Sequence, residues 1–249
     1  MGKFESYGAG FPGIDYGELT GKLIVLEGTD GVGRSTQIGL LRPWLELEGY
    51  AVSDTGWTRS PLLSGTINEA KAGHQLTVTT FSLLYAADFA DRLEHEIIPA
   101  LQAGFIVIAD RYMYTAFARN TVMGADPAWT HELFGMALVP DLVLCLDIDV
   151  ENLVPRVVHG KGMDYWESGM HLALGSDLFD SFMNYQRRLL EEYRRLAQEF
   201  NFITVDARNS IDQLQSDLRK HIAEYLQRAR PARPSAPAEP IPAPAVRKA

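Results

Sequence analysis

Directly after an apolar run, Lys22 to Glu27, the chain reads Gly28-Thr29-Asp30-Gly31-Val32-Gly33-Arg34-Ser35-Thr36. This is the spacing of a phosphate-binding loop, with Arg34 where such loops usually carry lysine. Glycines at 28, 31 and 33 permit backbone conformations that aim several N–H groups at phosphate oxygens, and a following helix would add its positive N-terminal end. Ser35 has the hydroxyl that these loops offer to Mg²⁺ between the β- and γ-phosphates. Arg34 keeps the positive charge but carries it on a larger, planar, bidentate group in place of a compact ammonium, which can bind phosphate in a different position. Phosphoryl transfer is the chemistry such residues serve. It needs positioning and charge neutralisation, and no nucleophile or activated histidine.

Other groups suited to that chemistry lie farther along. Asp110-Arg111-Tyr112 follows an apolar run, where a carboxylate can bind Mg²⁺ directly or through water and a guanidinium can neutralise charge developing between donor and acceptor. Thr58-Arg59-Ser60-Pro61 places a cation in a loop, and Tyr85 within Leu83-Leu84-Tyr85-Ala86-Ala87-Asp88-Phe89 offers a flat apolar platform. No His, Cys or Glu cluster has metal-site spacing, so Mg²⁺ carried by ATP is the metal expected.

These stretches together resemble the thymidylate kinase family, whose phosphate loop has the form G-x-D-G-x-G-K-S-T. The resemblance runs from about Lys22 to Gln227. Thr58 to Pro61 is similar to the family's T-R-E-P segment, which implies that Arg59 holds the acceptor phosphate; Ser60 replaces the family glutamate. Leu83 to Phe89 is similar to L-L-F-A-A-D-R on the helix that walls the nucleobase pocket, so Tyr85 falls where an aromatic ring stacks on thymine and Phe89 where an arginine meets the base. Asp110 to Tyr112 matches D-R-Y. Tyr114 to Arg119 resembles a stretch that ends in an aromatic near the sugar, with Arg119 in that aromatic's place. If Phe89 and Arg119 face each other, the two exchanges are reciprocal, and Arg119 supplies the base or phosphate contact that Phe89 cannot.

Leu144 to Asp149 is similar to L-x-L-D-V-D and leads to Arg156. His159 to Glu167 is placed like the family's mobile lid, with Tyr165 in place of the lid arginine and Arg156 and Lys161 as the cations near the donor phosphates. Asp30 resembles the family residue that orients the acceptor sugar hydroxyl. The resemblance thus implies an ATP site at Gly28 to Thr36 with Arg156 and Lys161, and an acceptor site of Asp30, Arg59, Tyr85, Phe89, Arg111 and Arg119. It further implies a catalytic set of Arg34, Asp110, Arg111 and Asp30, with Mg²⁺ at Ser35 and Asp110.

Residues so placed need a scaffold that brings strand ends together. Short apolar runs at Lys22–Glu27, Ala51–Asp54, Phe105–Ala109, Leu142–Asp147 and Phe202–Val205 read as strands. Helical patterns lie between them at Arg34–Glu48, Phe81–Leu101, Asp177–Glu199 and Ser210–Gln227. Such alternation predicts an α/β, three-layer P-loop kinase fold, a five-stranded parallel sheet with helices on both faces. Ligands of such sheets sit beyond the carboxyl ends of the strands. The expected organisation is an N-terminal extension over residues 1–20 and a kinase domain over 21–228 with its lid at about 156–170. A disordered Pro/Ala-rich tail is expected over 229–249, which holds six of the thirteen prolines.

A net charge of −9 argues against a nucleic-acid-coating protein. The single cysteine, Cys145, lies in an apolar run, which excludes an intrachain disulfide framework. With no run of about 20 apolar residues and no secretion signal, a cytoplasmic protein without membrane contact is expected. Family members commonly form homodimers through helices flanking the sheet, an arrangement the resemblance extends to this chain. Three readings follow: a dTMP kinase using ATP and Mg²⁺; a related kinase for another or modified deoxynucleotide, suggested by Phe89 and Arg119; and a nucleotide-binding pseudo-kinase, suggested by Arg34, Ser60 and Tyr165.

Overall fold

The computed structural model describes residues 4–73, 76–160 and 162–229. Five strands, β1 (Lys22–Glu27), β2 (Val52–Gly56), β3 (Ile106–Asp110), β4 (Leu142–Asp147) and β5 (Ile203–Asp206), pair in the order β2-β3-β1-β4-β5, every pairing parallel. Strands buried on both faces need apolar residues at successive positions, and β1 shows the consequence. Leu23 and Val25 enter the core on one face with Val107 and Val143, and Ile24 and Leu26 enter the core on the other with Ile108 and Leu144. This is the parallel, helix-covered sheet that the sequence pattern predicts.

Helices connect the strands and follow the last of them: α1 (Arg34–Leu47), α2 (Ser64–Ala72), α3 (Val78–Arg92), α4 (Ile98–Gln102), α5 (Met113–Val122), α6 (Pro127–Leu133), α7 (Val150–His159), α8 (Leu178–Glu199) and, after β5, α9 (Ile211–Ala229). The single helix expected over Phe81–Leu101 starts earlier and is interrupted. Thr77 caps it by accepting from the Thr80 amide at 3.3 Å, and a π-turn at Leu93–Ile97 separates α3 from α4. Pro99 lies just beyond that turn; without an N–H it cannot continue the usual ladder. The unforeseen α6 has Asp126 as cap, accepting from the Ala128 amide at 2.8 Å, and Pro127 at its first position, where proline is favoured. Among the described residues no helix is long and apolar enough to cross a membrane.

The N-terminal segment lies against the core. The Val139 amide donates to the Glu5 carbonyl at 2.8 Å, the Tyr7 amide to the Ala137 carbonyl at 3.0 Å, and Phe4 is buried. The Tyr7 and Tyr114 hydroxyls share a hydrogen bond, which ties the segment to α5. The predicted tail from residue 229 lies outside the described residues except for Ala229, the last residue of α9.

Strand order reverses on either side of β1, and there Leu26 stands in register with Asp110 of β3. A crevice opens at such a reversal, beyond the strand ends. The loop between β1 and α1 runs into that crevice, and Asp110 closes β3 there with Arg111 just beyond it.

Candidate active site

The loop between β1 and α1 depends on glycine at two points. At Gly28 (φ 136) a Cβ would lie 2.8 Å from the Leu146 carbonyl oxygen, and at Gly31 (φ 76) 2.6 Å from Val157 Cγ2. Both conformations and both close approaches exclude larger residues. Thr29 Oγ1 bonds Gln186 on α8, which fixes the loop's outer side.

Arg34 does not extend into open space. Its Nε donates to Asp110 Oδ1 at 2.8 Å, and its Nη1 donates back to the carbonyls of Gly28 and Thr29. Asp110 Oδ2 accepts from Ser35 Oγ at 2.9 Å. Burial pushes the Asp110 carboxyl upward, but the Arg34 charge and hydrogen bond outweigh it and hold the group below its ordinary value.

A second cluster adjoins the first. Asp30 takes Arg111 on one carboxylate oxygen and Arg119 Nη2 on the other, the latter at 2.6 Å. Burial would raise the Asp30 carboxyl, but Arg111, Arg119 and Arg34 together keep it well below the usual carboxylate range. Arg111 itself sits at φ 71, a left-handed conformation uncommon for a residue with a side chain. Its amide donates to the Leu26 carbonyl at 2.9 Å. Strain of this kind persists where surrounding structure over-determines it. Buried Glu27, at the end of β1, does so by accepting from the Tyr112 amide at 2.8 Å, the Thr115 amide at 3.2 Å and Thr115 Oγ1 at 2.8 Å.

Two sets of cavities meet at these clusters. On one side a cavity of about 170 Å³ has Arg59, Tyr85, Arg111 and Arg119 in its wall. Arg59 is held by Asp54 at 3.0 Å. Tyr85 stacks on Phe81 with ring centroids 4.3 Å apart. On the other side a cavity of about 360 Å³ is bordered by Asp30, Ser35, Thr36, Arg156 and Glu167. Arg34 borders both.

Phe89 is placed differently from the other sequence-derived residues. It is fully buried, its ring 6.0 Å from Trp57, 4.9 Å from Tyr112 and 5.7 Å from Phe134, and it is not part of the cavity wall. The side chain at 119 turns to Asp30 and that at 89 to this aromatic group, which leaves no reciprocal pair. Lys161 lies outside the described residues. Arg156 donates to the Val32 carbonyl at 3.3 Å and the Ala207 carbonyl at 2.6 Å, bracing the phosphate loop against the segment after β5.

The structure adds wall residues that no motif announced. Trp57 packs against Tyr85 at 5.1 Å and donates Nε1–H to the Tyr112 carbonyl at 2.9 Å. Its position immediately before Thr58-Arg59 was the available signal. Arg208 to Ile211 line a further cavity of about 460 Å³ shared with Gly33, Thr36 and Arg156. Their place just beyond the last strand was the signal there. In the stretch expected to act as a lid, Trp166 stacks on Phe81 at 5.6 Å and donates Nε1–H to the Lys71 carbonyl at 2.9 Å, while Gln186 donates to the Glu167 carbonyl at 2.8 Å.

The arrangement brings cations and oxygen donors to the boundary between two pockets, as transfer of an anionic group requires. Comparisons with known proteins agree in kind. The family model described as thymidylate kinase matches residues 26–218. The chain is 38% identical over 210 residues to a probable thymidylate kinase 2 of Saccharolobus solfataricus, covering 84% of this chain and 98% of that one. It is 34% identical over 208 residues to a probable thymidylate kinase of Thermococcus gammatolerans, with coverages of 80% and 94%. A thymidylate kinase of Caldanaerobacter subterraneus is 30% identical over 225 residues, with coverages of 85% and 100%.

Proposed function

Because this chain belongs to the thymidylate kinase family, we infer that it transfers the γ-phosphoryl group of ATP to dTMP, giving ADP and dTDP. The observation that carries this reading is the position of Arg34, whose guanidinium borders the phosphate-loop cavity and the Tyr85 cavity alike.

In this reading ATP lies along Gly28 to Thr36 with its far end toward Arg208 to Ile211, held by Arg156 and covered by the lid with Lys161. dTMP lies against Tyr85, its phosphate between Arg59 and Arg111. Asp30 orients the sugar hydroxyl while Arg119 sets the direction of that carboxylate, and Phe89 serves the pocket by backing Trp57. Arg111 and Arg34 neutralise charge that develops between donor and acceptor. The acceptor phosphate is already ionised at neutral pH, its second pKa being about 6, so no strong general base is required.

Ser35 Oγ and Asp110 Oδ2, 2.9 Å apart, are hard oxygen donors of the type Mg²⁺ takes, so these residues fit the ion. When bound, Mg²⁺ draws charge from the β- and γ-phosphates. The kinase unit spans residues 21–228 with its lid at about 156–170. A cytoplasmic homodimer built on helices that flank the sheet belongs to the same reading, and sedimentation would register it as a doubled mass.

A coupled ADP-release assay over a panel of nucleoside monophosphates tests the assignment. Turnover fastest with dTMP is expected. A different preferred acceptor would move the reading to another deoxynucleotide, and ATP binding without ADP release would replace the kinase by a nucleotide-binding module.

A further inference from the structure

The loop that carries Arg59 runs through an unfavourable backbone conformation. Thr58 has φ 58, in the left-handed region, where a β-branched residue is a genuine outlier. One carboxylate holds the backbone on both sides of Arg59. Asp88 of α3 accepts from the Thr58 amide with Oδ2 at 3.2 Å and from the Ser60 amide with Oδ1 at 3.1 Å. A second tether comes from the same helix, where Asp91 accepts the Ser60 hydroxyl, and the Leu63 amide donates back to Ser60 Oγ at 3.1 Å.

Asp88 is fully buried. So is Arg92, one helical turn on, which donates Nε–H to Asp88 Oδ2 at 2.9 Å. Arg92 also stands 5.6 Å from the centroids of Trp57 and Phe89 and reaches Thr55 Oγ1 at 3.3 Å through Nη1. A buried ion pair gives up hydration, and apolar residues of equal volume would fill the same space without that cost. What apolar residues could not do is accept two backbone N–H groups from a loop held in a left-handed turn.

We infer that Asp88 is a positioning residue of the acceptor site. It fixes the backbone flanking Arg59 and thereby directs that guanidinium to the acceptor phosphate, with Arg92 balancing its charge. The inference rests on the proposed role of Arg59 as a ligand of that phosphate. Asp88 touches no substrate; it acts through Arg59.

The test is a double-mutant cycle read in Michaelis constants. Asp88→Asn keeps the shape but can accept only one of the two N–H groups. It should raise KM for dTMP about tenfold, an effect the size of one lost hydrogen bond to a charged group, and leave KM for ATP within a factor of about two. In an Arg59→Ala background the same change should leave KM for dTMP almost unaltered, because the group it positioned is gone. Should Asp88→Asn not fold, Asp88→Glu keeps the charge but moves its oxygens one methylene out of register, and the same results are expected. Equal factors in the two backgrounds, or a folded variant with unchanged KM for dTMP, would overturn the inference alone. An Arg59→Ala enzyme with unchanged KM for dTMP would overturn the role of Arg59 and this inference with it.

Discussion

Arg34 and Asp110 are bound side by side, Nε to Oδ1 at 2.8 Å, so the cation of the phosphate loop and the carboxylate at the end of β3 neutralise each other. Asp110 keeps its second oxygen for Ser35. On the proposed reading, Mg²⁺ at Asp110 would have to compete with this guanidinium for the carboxylate.

Arg34→Lys removes the planar fork that ties the side chain to Gly28, Thr29 and Asp110 at once, and leaves a compact ammonium free to sit among phosphate oxygens. We expect kcat to rise several-fold and half-maximal activity to need less Mg²⁺. Steady-state rates across a Mg²⁺ titration check this. A fall in kcat with an unchanged Mg²⁺ requirement would show that the folded-back arginine is the working geometry.

Tyr85→Ala removes the ring that stacks on Phe81 and faces the Arg59 cavity. Stacking of a base on an aromatic ring contributes about 1–3 kcal/mol, which corresponds to roughly 5- to 150-fold in affinity. KM for dTMP should rise within that range while KM for ATP stays constant. Equal changes in both constants would instead indicate collapse of the wall.

Glu167 gives the protein a pH signature. Burial first, then the nearby Asp30 charge, raises its carboxyl from the ordinary 4.5 to about 7, against the opposing pull of Arg119 and Arg111. Between these values the folded chain holds a proton that the unfolded chain has released, so stability falls as pH rises through the window and levels off above it. Glu167→Gln has no proton to lose. Its melting temperature should gain on the native chain across that window and keep a constant lead beyond it. A difference independent of pH would contradict the assignment.

Phe4 anchors the N-terminal segment in the core, 7% exposed. Truncating a buried phenylalanine to alanine costs about 3–5 kcal/mol. Phe4→Ala should lose stability near the lower figure in denaturant unfolding, because the segment's amide bonds to residues 137–139 persist. No loss would mean that the segment rests on the core without supporting it.

Legibility in the sequence follows the range of the interaction. β1 and β4 could be read to the residue, since strands buried on both faces need unbroken apolar runs, as in Lys22–Glu27 and Leu142–Asp147. The turn between β1 and α1 was legible because its glycines answer to local backbone geometry. α2 was not: among its residues only Ile67 is buried, so it shows no stripe. The break at Leu93–Ile97 depends on how a helix accommodates Pro99, which periodicity does not register. Longer-range facts were beyond reach. The folding back of Arg34 onto a carboxylate 76 residues away, the assembly of Asp30, Arg111 and Arg119, and the wall formed by Trp57 all depend on register between strands and helices. The N-terminal segment was opaque for the same reason, since its partners at 137–139 are far along the chain.

The most direct measurement is to follow the label from γ-labelled ATP incubated with the protein, Mg²⁺ and dTMP. Label should appear at the β-position of dTDP, at a rate that drops steeply in Arg111→Ala, which removes the guanidinium bound to Asp30 in the wall of the Tyr85 cavity. Label recovered only as inorganic phosphate, or still in ATP after prolonged incubation with dTMP, would contradict the account.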